Sequence, residues 1–219
     1  MGTSIKRSVN IRVICAIVAV LLFSFVTTAN ILRIKDTQAA SAQAASLLDS
    51  AQKAEVAHYK WSANLSNALY AGTEFTGSMD HTGCVLGQWL YSELNLTDSQ
   101  IESLRTQIEP LHKELHASAG TALGLYANSR TTAQQYYQET IQNNLTTLVG
   151  LLDKVVDRGT ALSTEYTATM NGTIAFMHLS TVICLVLALI GITSLVVYFL
   201  QCVVKPLVQI THRAQPLQE

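Results

Sequence analysis

The sequence predicts an all-α protein: an antiparallel four-helix bundle, with three long helices and one short one, that is continuous with two transmembrane helices. Three observations predict this fold. Apolar residues recur at three- and four-residue spacing along three long segments, and no segment alternates as a strand does. Two long, uncharged apolar runs flank these segments. The 219 residues are 49% hydrophobic and only 13% charged, which favours a membrane protein over an ordinary soluble domain.

The first apolar run covers residues 13–32 and contains no charged residue. About 20 apolar residues in a helix cross a hydrocarbon layer of about 30 Å. A cleaved signal peptide is the alternative, but the run is too long for one, and apolar residues follow its only weak cleavage site at residues 27–29. We therefore predict a cytoplasmic N-terminus at residues 1–12 and a retained transmembrane helix at residues 13–34.

The second apolar run lies within residues 166–204, which are also uncharged, and predicts a transmembrane helix at residues 174–204. Basic residues precede the first run and follow the second. Residues 36–172 carry 7 Lys and Arg against 14 Asp and Glu, a net charge of −7. Because short basic flanks stay in the cytoplasm, we expect residues 35–173 outside it, in the periplasm of a bacterium whose inner membrane holds the chain.

The first long helix of this outer segment is predicted at residues 38–70, continuing the first transmembrane helix. Its apolar stripe consists of Ala54, Ala57, Trp61, Leu65, Ala68 and Leu69. Glycines and small polar residues in AGTEFTGSMDHTG end the helix. The stretch CVLGQWLYSELN then predicts a short amphipathic helix.

The next long helix starts in LTDSQIESL, with Thr97, Asp98 or Ser99 as its N-cap and Glu102 at capping-box spacing from Ser99. Its apolar face consists of Leu104, Ile108, Leu111, Leu115 and Ala119.

The last long helix is predicted to begin near Thr131 and to lead into the second transmembrane helix. Its stripe consists of Ile141, Leu145, Leu148, Leu152, Val155 and Val156. Both ends of the segment enter the membrane, so the helices should pack as an antiparallel bundle.

Four of the six histidines and one of the four cysteines lie in the outer segment. His112 and His116 stand one helical turn apart, a spacing that lets two imidazoles bind one ion. Taken one at a time, these residues have explanations other than metal binding. His112 and His116 could be a solvated pair, His58 could pack beside a tryptophan, and Cys84 could be a small buried apolar residue. Together, three histidines and one cysteine suit a tetrahedral Zn²⁺ site. A lone cysteine in an oxidising compartment has no intramolecular disulfide partner, so a metal would explain its thiolate.

This segment contains three short patterns: His58-x-x-Trp61, Cys84-x-Leu86-Gly87-x-Trp89-Leu90 and His112-x-x-x-His116. Together they resemble the chemoreceptor zinc-binding (CZB) domain family. The resemblance covers residues 54–117 well and the last helix only in general character. It implies a four-helix bundle in which three histidines and one cysteine hold zinc. Carried over residue by residue, it makes His58, Cys84, His112 and His116 the zinc ligands.

Other residues receive different roles from the same comparison. His81 does not occupy a ligand position of the family pattern, so we expect it beside the site or exposed. Trp61 and Trp89 are expected in the core, where they would hold the ligand-bearing helices. Most members of the family are cytoplasmic, whereas residues 35–173 are expected between two membrane helices, where transmembrane receptors carry their sensor domains.

The residues after the second apolar run point to a receptor. Val204-Lys205-Pro206-Leu207, followed by Ile210, resembles the start of a HAMP linker, expected here at residues 205–219. We therefore expect the sensory part of a bacterial methyl-accepting chemotaxis receptor that binds zinc and passes a conformational signal across the membrane. The resemblance also implies a homodimer and a signalling module outside this chain. No segment is basic enough to indicate a nucleic-acid partner.

Three alternatives stay open from the sequence. The domain could be a zinc-stabilised structural or dimerisation module, or the sensor of a cyclase or kinase. A metalloenzyme is disfavoured, because four protein ligands leave no position for a reactive water and Lys113 stands where an H-E-x-x-H motif has glutamate. We expect no enzymatic activity.

Overall fold

A computed structural model of the chain describes residues 2–93, 98–206 and 208. Helices form because apolar stripes recur at helical spacing along almost the whole length. They are α1 (Gly2–Ala71), α2 (Val85–Tyr91), α3 (Ser99–Asn128), α4 (Arg130–Tyr136) and α5 (Gln142–Phe199). One π-helical turn, Tyr137–Ile141, joins α4 to α5, and a second one, Leu200–Val204, follows α5. The described residues contain no strand, so the predicted all-α class is confirmed.

The described chain divides into two compact units, and Thr37–Ala168 is one of them. Within this unit α1 and the last long helix run antiparallel: Gly159 packs beside the Ala44 carbonyl, and the Gln134 side chain donates to the Leu69 carbonyl at 3.0 Å. The sequence order of these partners is reversed between the two helices, as antiparallel packing requires.

The other helices of this unit complete an up-down-up-down arrangement. α3 runs parallel to α1, since His58 meets His112 and, further along both helices, Gly72 lies beside Tyr126. α2 runs antiparallel to α3, because Cys84 at its start meets His112 and Tyr91 at its end meets Glu109. This is the predicted antiparallel bundle of three long helices and one short one.

The predicted apolar stripes form the core of this unit. The largest fully buried apolar side chains are Leu65, Leu69, Leu86, Ile101, Ile108, Leu115, Ile141, Leu148 and Leu152. Each lies at the inward-facing spacing of its helix, and their burial drives the association of the helices. Ala57, Leu111 and Val156, also placed on the stripes, are half-buried at the margin of the core.

Asp98 is the N-cap of α3 and so decides among the three candidates named from the sequence. Its Oδ1 accepts from the backbone N–H groups of Gln100 and Ile101, at 3.1 and 3.0 Å. Its Oδ2 accepts from Arg158 of α5 at 2.6 Å. One carboxylate therefore both starts α3 and fixes it to the last helix. The candidate Thr97 lies outside the described residues.

The last long helix begins at Arg130, with Ser129 as its N-cap, one residue before the predicted start. The π-helical turn at Tyr137–Ile141 interrupts its regular winding. Tyr137 is buried there, and its hydroxyl donates to the Ser62 carbonyl of α1 at 3.1 Å. The sequence pattern did not predict this turn.

The second compact unit consists of described residues from 1–36 and 169–208. Helical stretches Asn10–Ala71 and Arg130–Cys202 each contain an 18-residue window apolar enough to cross a membrane, and no residue of either window is buried. They qualify by length and composition only. Within this unit the Arg12 guanidinium lies 4.6 Å from the ring centroid of Tyr198. Most of the expected linker at residues 205–219, including Leu207 and Ile210, lies outside the described residues.

Candidate metal centre

His58 projects from α1 into the interior of the bundle, where it is 2% exposed. Its Nδ1 lies 2.7 Å from the Ala54 carbonyl, one helical turn earlier. A carbonyl can only accept, so Nδ1 carries the proton and donates, and Nε2 keeps a free lone pair. Burial lowers the pKa of His58, and the imidazole is therefore neutral at physiological pH.

His116 presents the same nitrogen from α3. Its Nδ1 donates to the Ser78 carbonyl at 3.0 Å, so its Nε2 also keeps a lone pair. The Nε2 atoms of His116 and His58 face each other at 3.4 Å. Burial lowers the pKa of His116 to about 4, although the hydrogen bond to Ser78 acts in the opposite direction. Two neutral imidazoles that turn lone pairs toward one point form a cation-binding arrangement.

His112 lies one helical turn before His116 and is completely buried. Its Nε2 is 3.2 Å from Sγ of Cys84, while its Nδ1 is buried and has no hydrogen-bond partner among the described residues. Burial and the neighbouring histidines lower the pKa of His112 to about 3. This imidazole is neutral, and its position is set by packing more than by hydrogen bonds.

Cys84 is the N-cap of the short helix α2. Its Sγ accepts from the Gly87 N–H at 3.3 Å and lies 3.6 Å from the His81 carbonyl, to which the thiol can donate. Burial raises the pKa of the Cys84 thiol, although the backbone N–H groups of Gly87 and Leu86 act in the opposite direction. A cation beside Sγ would reverse the balance, because a metal-bound cysteine is a thiolate.

Gly87 explains the glycine in the Cys84 pattern. A Cβ at this position would overlap the His81 carbonyl oxygen and would lie 2.7 Å from that of Thr82. Both neighbours are backbone atoms of the loop that precedes Cys84, so a side chain could enter only if this loop moved. The absence of a side chain therefore lets the loop fold over α2 and bring the thiol to the histidines.

The structure brings together the four side chains expected as zinc ligands. One ligand atom from each of His58, Cys84, His112 and His116 lies within 4.8 Å of the others. In a tetrahedral zinc centre with Zn–N bonds of about 2.05 Å, two nitrogens stand about 3.4 Å apart. The 3.4 Å between the Nε2 atoms of His58 and His116 equals that edge. The donor set, three neutral imidazoles and one thiol, suits zinc.

The other residues singled out from the sequence surround this cluster. His81 is half-buried and is not one of the four clustered side chains; its ring centroid lies 6.2 Å from that of His112. Trp61 and Trp89 are both buried in the core, as expected. Trp61 packs against His116 with ring centroids 5.2 Å apart, and Trp89 lies beneath the guanidinium of Arg105.

Several groups that shape the site were missed by the sequence analysis. The carbonyls of Ala54 and Ser78 orient two imidazoles, and no sequence signal marks them because every residue offers a carbonyl. Arg105 donates to the carbonyls of Trp89 and Ser92, at 3.1 and 2.8 Å, and also to that of Leu90.

The comparisons with known proteins bear on the same segment. Neither a curated protein nor a solved structure matches the chain. Residues 58–123, which include all four clustered side chains, match the family model of the chemoreceptor zinc-binding domain.

Proposed function

We propose that this chain is the sensory part of a bacterial transmembrane chemoreceptor, in which His58, Cys84, His112 and His116 bind Zn²⁺. One observation carries the proposal: the four ligand atoms lie within 4.8 Å of one another, although they come from three separate helical elements. The family match at residues 58–123 supports zinc as the ion. A closed set of four protein ligands leaves no position for a reactive water, which favours a binding protein over an enzyme.

Zinc would act as a link between elements. His58 belongs to α1, Cys84 begins α2, and the remaining two histidines belong to α3. Binding would hold the start of α2 against both long helices, and loss of the metal or oxidation of the thiolate would release it. The resulting change in packing would reach the membrane through α1 and the last helix.

Zinc titration of the full chain in detergent tests the binding site. Wild type should bind one Zn²⁺, whereas Cys84→Ser and His112→Ala should lose most of the affinity, because each removes one of four ligands. His81→Ala is the matched control, since His81 lies beside the cluster without belonging to it. Equal affinity of wild type and both ligand variants would refute the assignment.

The receptor context makes a separate prediction about location. The apolar windows of the two long helical stretches support two membrane spans, and the acidic outer segment supports an extracytoplasmic sensor. A membrane-impermeant maleimide should label Thr131→Cys in intact cells and Lys205→Cys only after permeabilisation, relative to the unmodified chain. The reverse pattern would place the zinc domain in the cytosol and contradict this part of the proposal.

A zinc-stabilised structural module is the second candidate. The complete burial of the histidines favours it, because such ligands resemble those of structural zinc sites, which contribute directly to folding. The two functions differ in what happens when zinc is removed. A sensor keeps its fold and changes its packing, whereas a structural site loses its fold.

A further inference from the structure

We infer that Asn64 is a positioning residue for the metal centre: it holds the loop whose Ser78 carbonyl orients the imidazole of His116. This inference rests on the proposed zinc site and assigns a role to a residue whose hydrogen bonds go to Thr76 and Gly77 and to none of the four clustered side chains. It concerns the loop between α1 and α2, which runs from Gly72 to Cys84.

Asn64 is the point at which this loop is fixed to α1. Its Oδ1 accepts from the backbone N–H groups of Thr76 and Gly77, at 2.9 and 3.1 Å, and from the Thr76 hydroxyl at 3.4 Å. All three partners are donors, so the atom that faces them must be the carbonyl oxygen of the amide. One side chain thus satisfies two consecutive backbone N–H groups of a segment that has no regular structure.

The next residue of the loop is the one that touches the metal centre. The Ser78 carbonyl accepts from His116 Nδ1 at 3.0 Å and from Trp61 Nε1 at 2.8 Å. The first bond sets the tautomer of His116, and hence leaves Nε2 free to face His58. Asn64 and Trp61 stand one turn apart on α1 and hold the loop on both sides of the peptide that joins residues 77 and 78.

The packing around Gly77 leaves this segment little freedom. A Cβ added to Gly77 would lie 2.8 Å from Cδ1 of Trp61 and 2.5 Å from the ring of Phe75. The loop backbone therefore packs closely against the indole of Trp61. The hydrogen bonds from Thr76 and Gly77 to Asn64 hold it in this position. Without the Asn64 oxygen, the N–H groups of Thr76 and Gly77 would turn toward water and the Ser78 carbonyl would move with them.

Three variants of the full chain in detergent separate this role from a general effect on the fold. Asn64→Leu removes the acceptor and keeps a good helix former in α1, whereas Asn64→Asp keeps an acceptor for the same N–H groups. Asn67→Leu is the matched control, because Asn67 is exposed on the same helix. Zinc affinity should fall about tenfold in Asn64→Leu and stay at the wild-type level in the other two.

A second measurement, hydrogen exchange, already tests the inference in the wild-type chain. In the wild-type chain the amide protons of Thr76 and Gly77 should exchange slowly with solvent, and in Asn64→Leu they should exchange as fast as those of an open loop. Fast exchange of both amides in wild type would overturn the inference. So would unchanged zinc affinity in Asn64→Leu, or equal losses in Asn64→Leu and Asn64→Asp or Asn67→Leu. Failure of wild type to bind zinc would instead overturn the proposed function.

Discussion

The four side chains of the candidate metal centre differ in the direction in which burial shifts their pKa. Burial lowers the pKa of His112 to about 3 and of His116 to about 4, and also lowers that of His58, so all three imidazoles are already neutral at pH 7. The Cys84 thiol behaves in the opposite way, because burial raises its pKa. In the proposed zinc site the thiol is therefore the group that must lose a proton on binding.

This difference predicts the pH dependence of binding. We expect the release of about one proton for each Zn²⁺ bound at pH 7, and an affinity that rises about tenfold per pH unit between pH 6 and 8. Calorimetric titration in buffers of different ionisation enthalpy measures the proton count. Cys84→Ser, which has no titrating thiol, should release almost none. Release of three or four protons would mean that the histidines are charged in the zinc-free protein.

The lowered histidine pKa values also predict how acid affects the zinc-free fold. Unfolded histidines titrate near pH 6.5, whereas folded His112 and His116 accept protons only near pH 3 and 4. As pH falls below 6.5, the histidines of the unfolded state bind protons, whereas those of the folded state stay neutral. The free energy of unfolding therefore decreases. Urea unfolding followed by fluorescence of Trp61 and Trp89 should show lower stability at pH 5 than at pH 7.5. Equal stability would contradict the burial of neutral imidazoles.

Gly87 supplies a prediction about backbone packing. In Gly87→Ala the new methyl group meets the carbonyls of His81 and Thr82, so the loop before Cys84 must move. We expect a loss of about 1–3 kcal/mol in the free energy of unfolding, together with weaker zinc binding. Gly150→Ala is the matched control, because a Cβ there meets nothing within 4 Å and alanine favours the helix. Wild-type behaviour of Gly87→Ala would show that the loop yields without cost.

At the scale of the element, α2 depends on its two ends. Seven residues are too few for a helix to be stable in isolation. Its start is fixed by Cys84, and its end by Arg105 of α3, which donates to three carbonyls and stacks on Trp89. If zinc leaves and the start is released, the guanidinium still holds the end, so α2 can move about that end without leaving the bundle.

Arg105→Lys tests the anchor at the end of α2. An ammonium cannot donate to three carbonyls in the planar geometry of a guanidinium, so we expect a loss of about 1–3 kcal/mol in the free energy of unfolding without zinc. Denaturant unfolding of the zinc-free chain measures it. Lys113→Gln, an exposed change on the same helix, is the control. A change of similar size in both variants would argue against a specific role for Arg105.

The helices were predictable from the sequence to different degrees. Helical stripes and capping residues placed the starts of α3 and α4 within one or two residues, because both signals are local. The π-helical turn at Tyr137–Ile141 was not predictable, since it depends on contacts between the Tyr137 hydroxyl and Ser62 across the bundle. The periodicity of one helix contains no information on a contact with another helix.

At the scale of the whole molecule, the clustered side chains could be named because their residue types are rare and ordered. His58, Cys84, His112 and His116 lie far apart in sequence; their residue types suggested a zinc site, and the family pattern selected these four positions. The groups that orient them could not be named, because every residue has a carbonyl and only the folded path of the backbone brings those of Ala54 and Ser78 to the imidazoles. The types of the clustered residues can thus be predicted from the sequence, whereas the groups that orient them are visible only in the folded chain.

Removal of zinc from the full chain distinguishes a sensor from a structural module. The core of Thr37–Ala168 contains fully buried leucines and isoleucines from α1, α3 and α5 that no metal holds in place. We therefore expect a chelator to leave the helical circular dichroism almost unchanged. Zinc at a thousandfold excess over its dissociation constant should add about 4 kcal/mol to the stability. Cys84→Ser should show no such gain. Collapse of the helical signal on chelation would mean that zinc holds the fold together, and the sensing proposal would have to be abandoned.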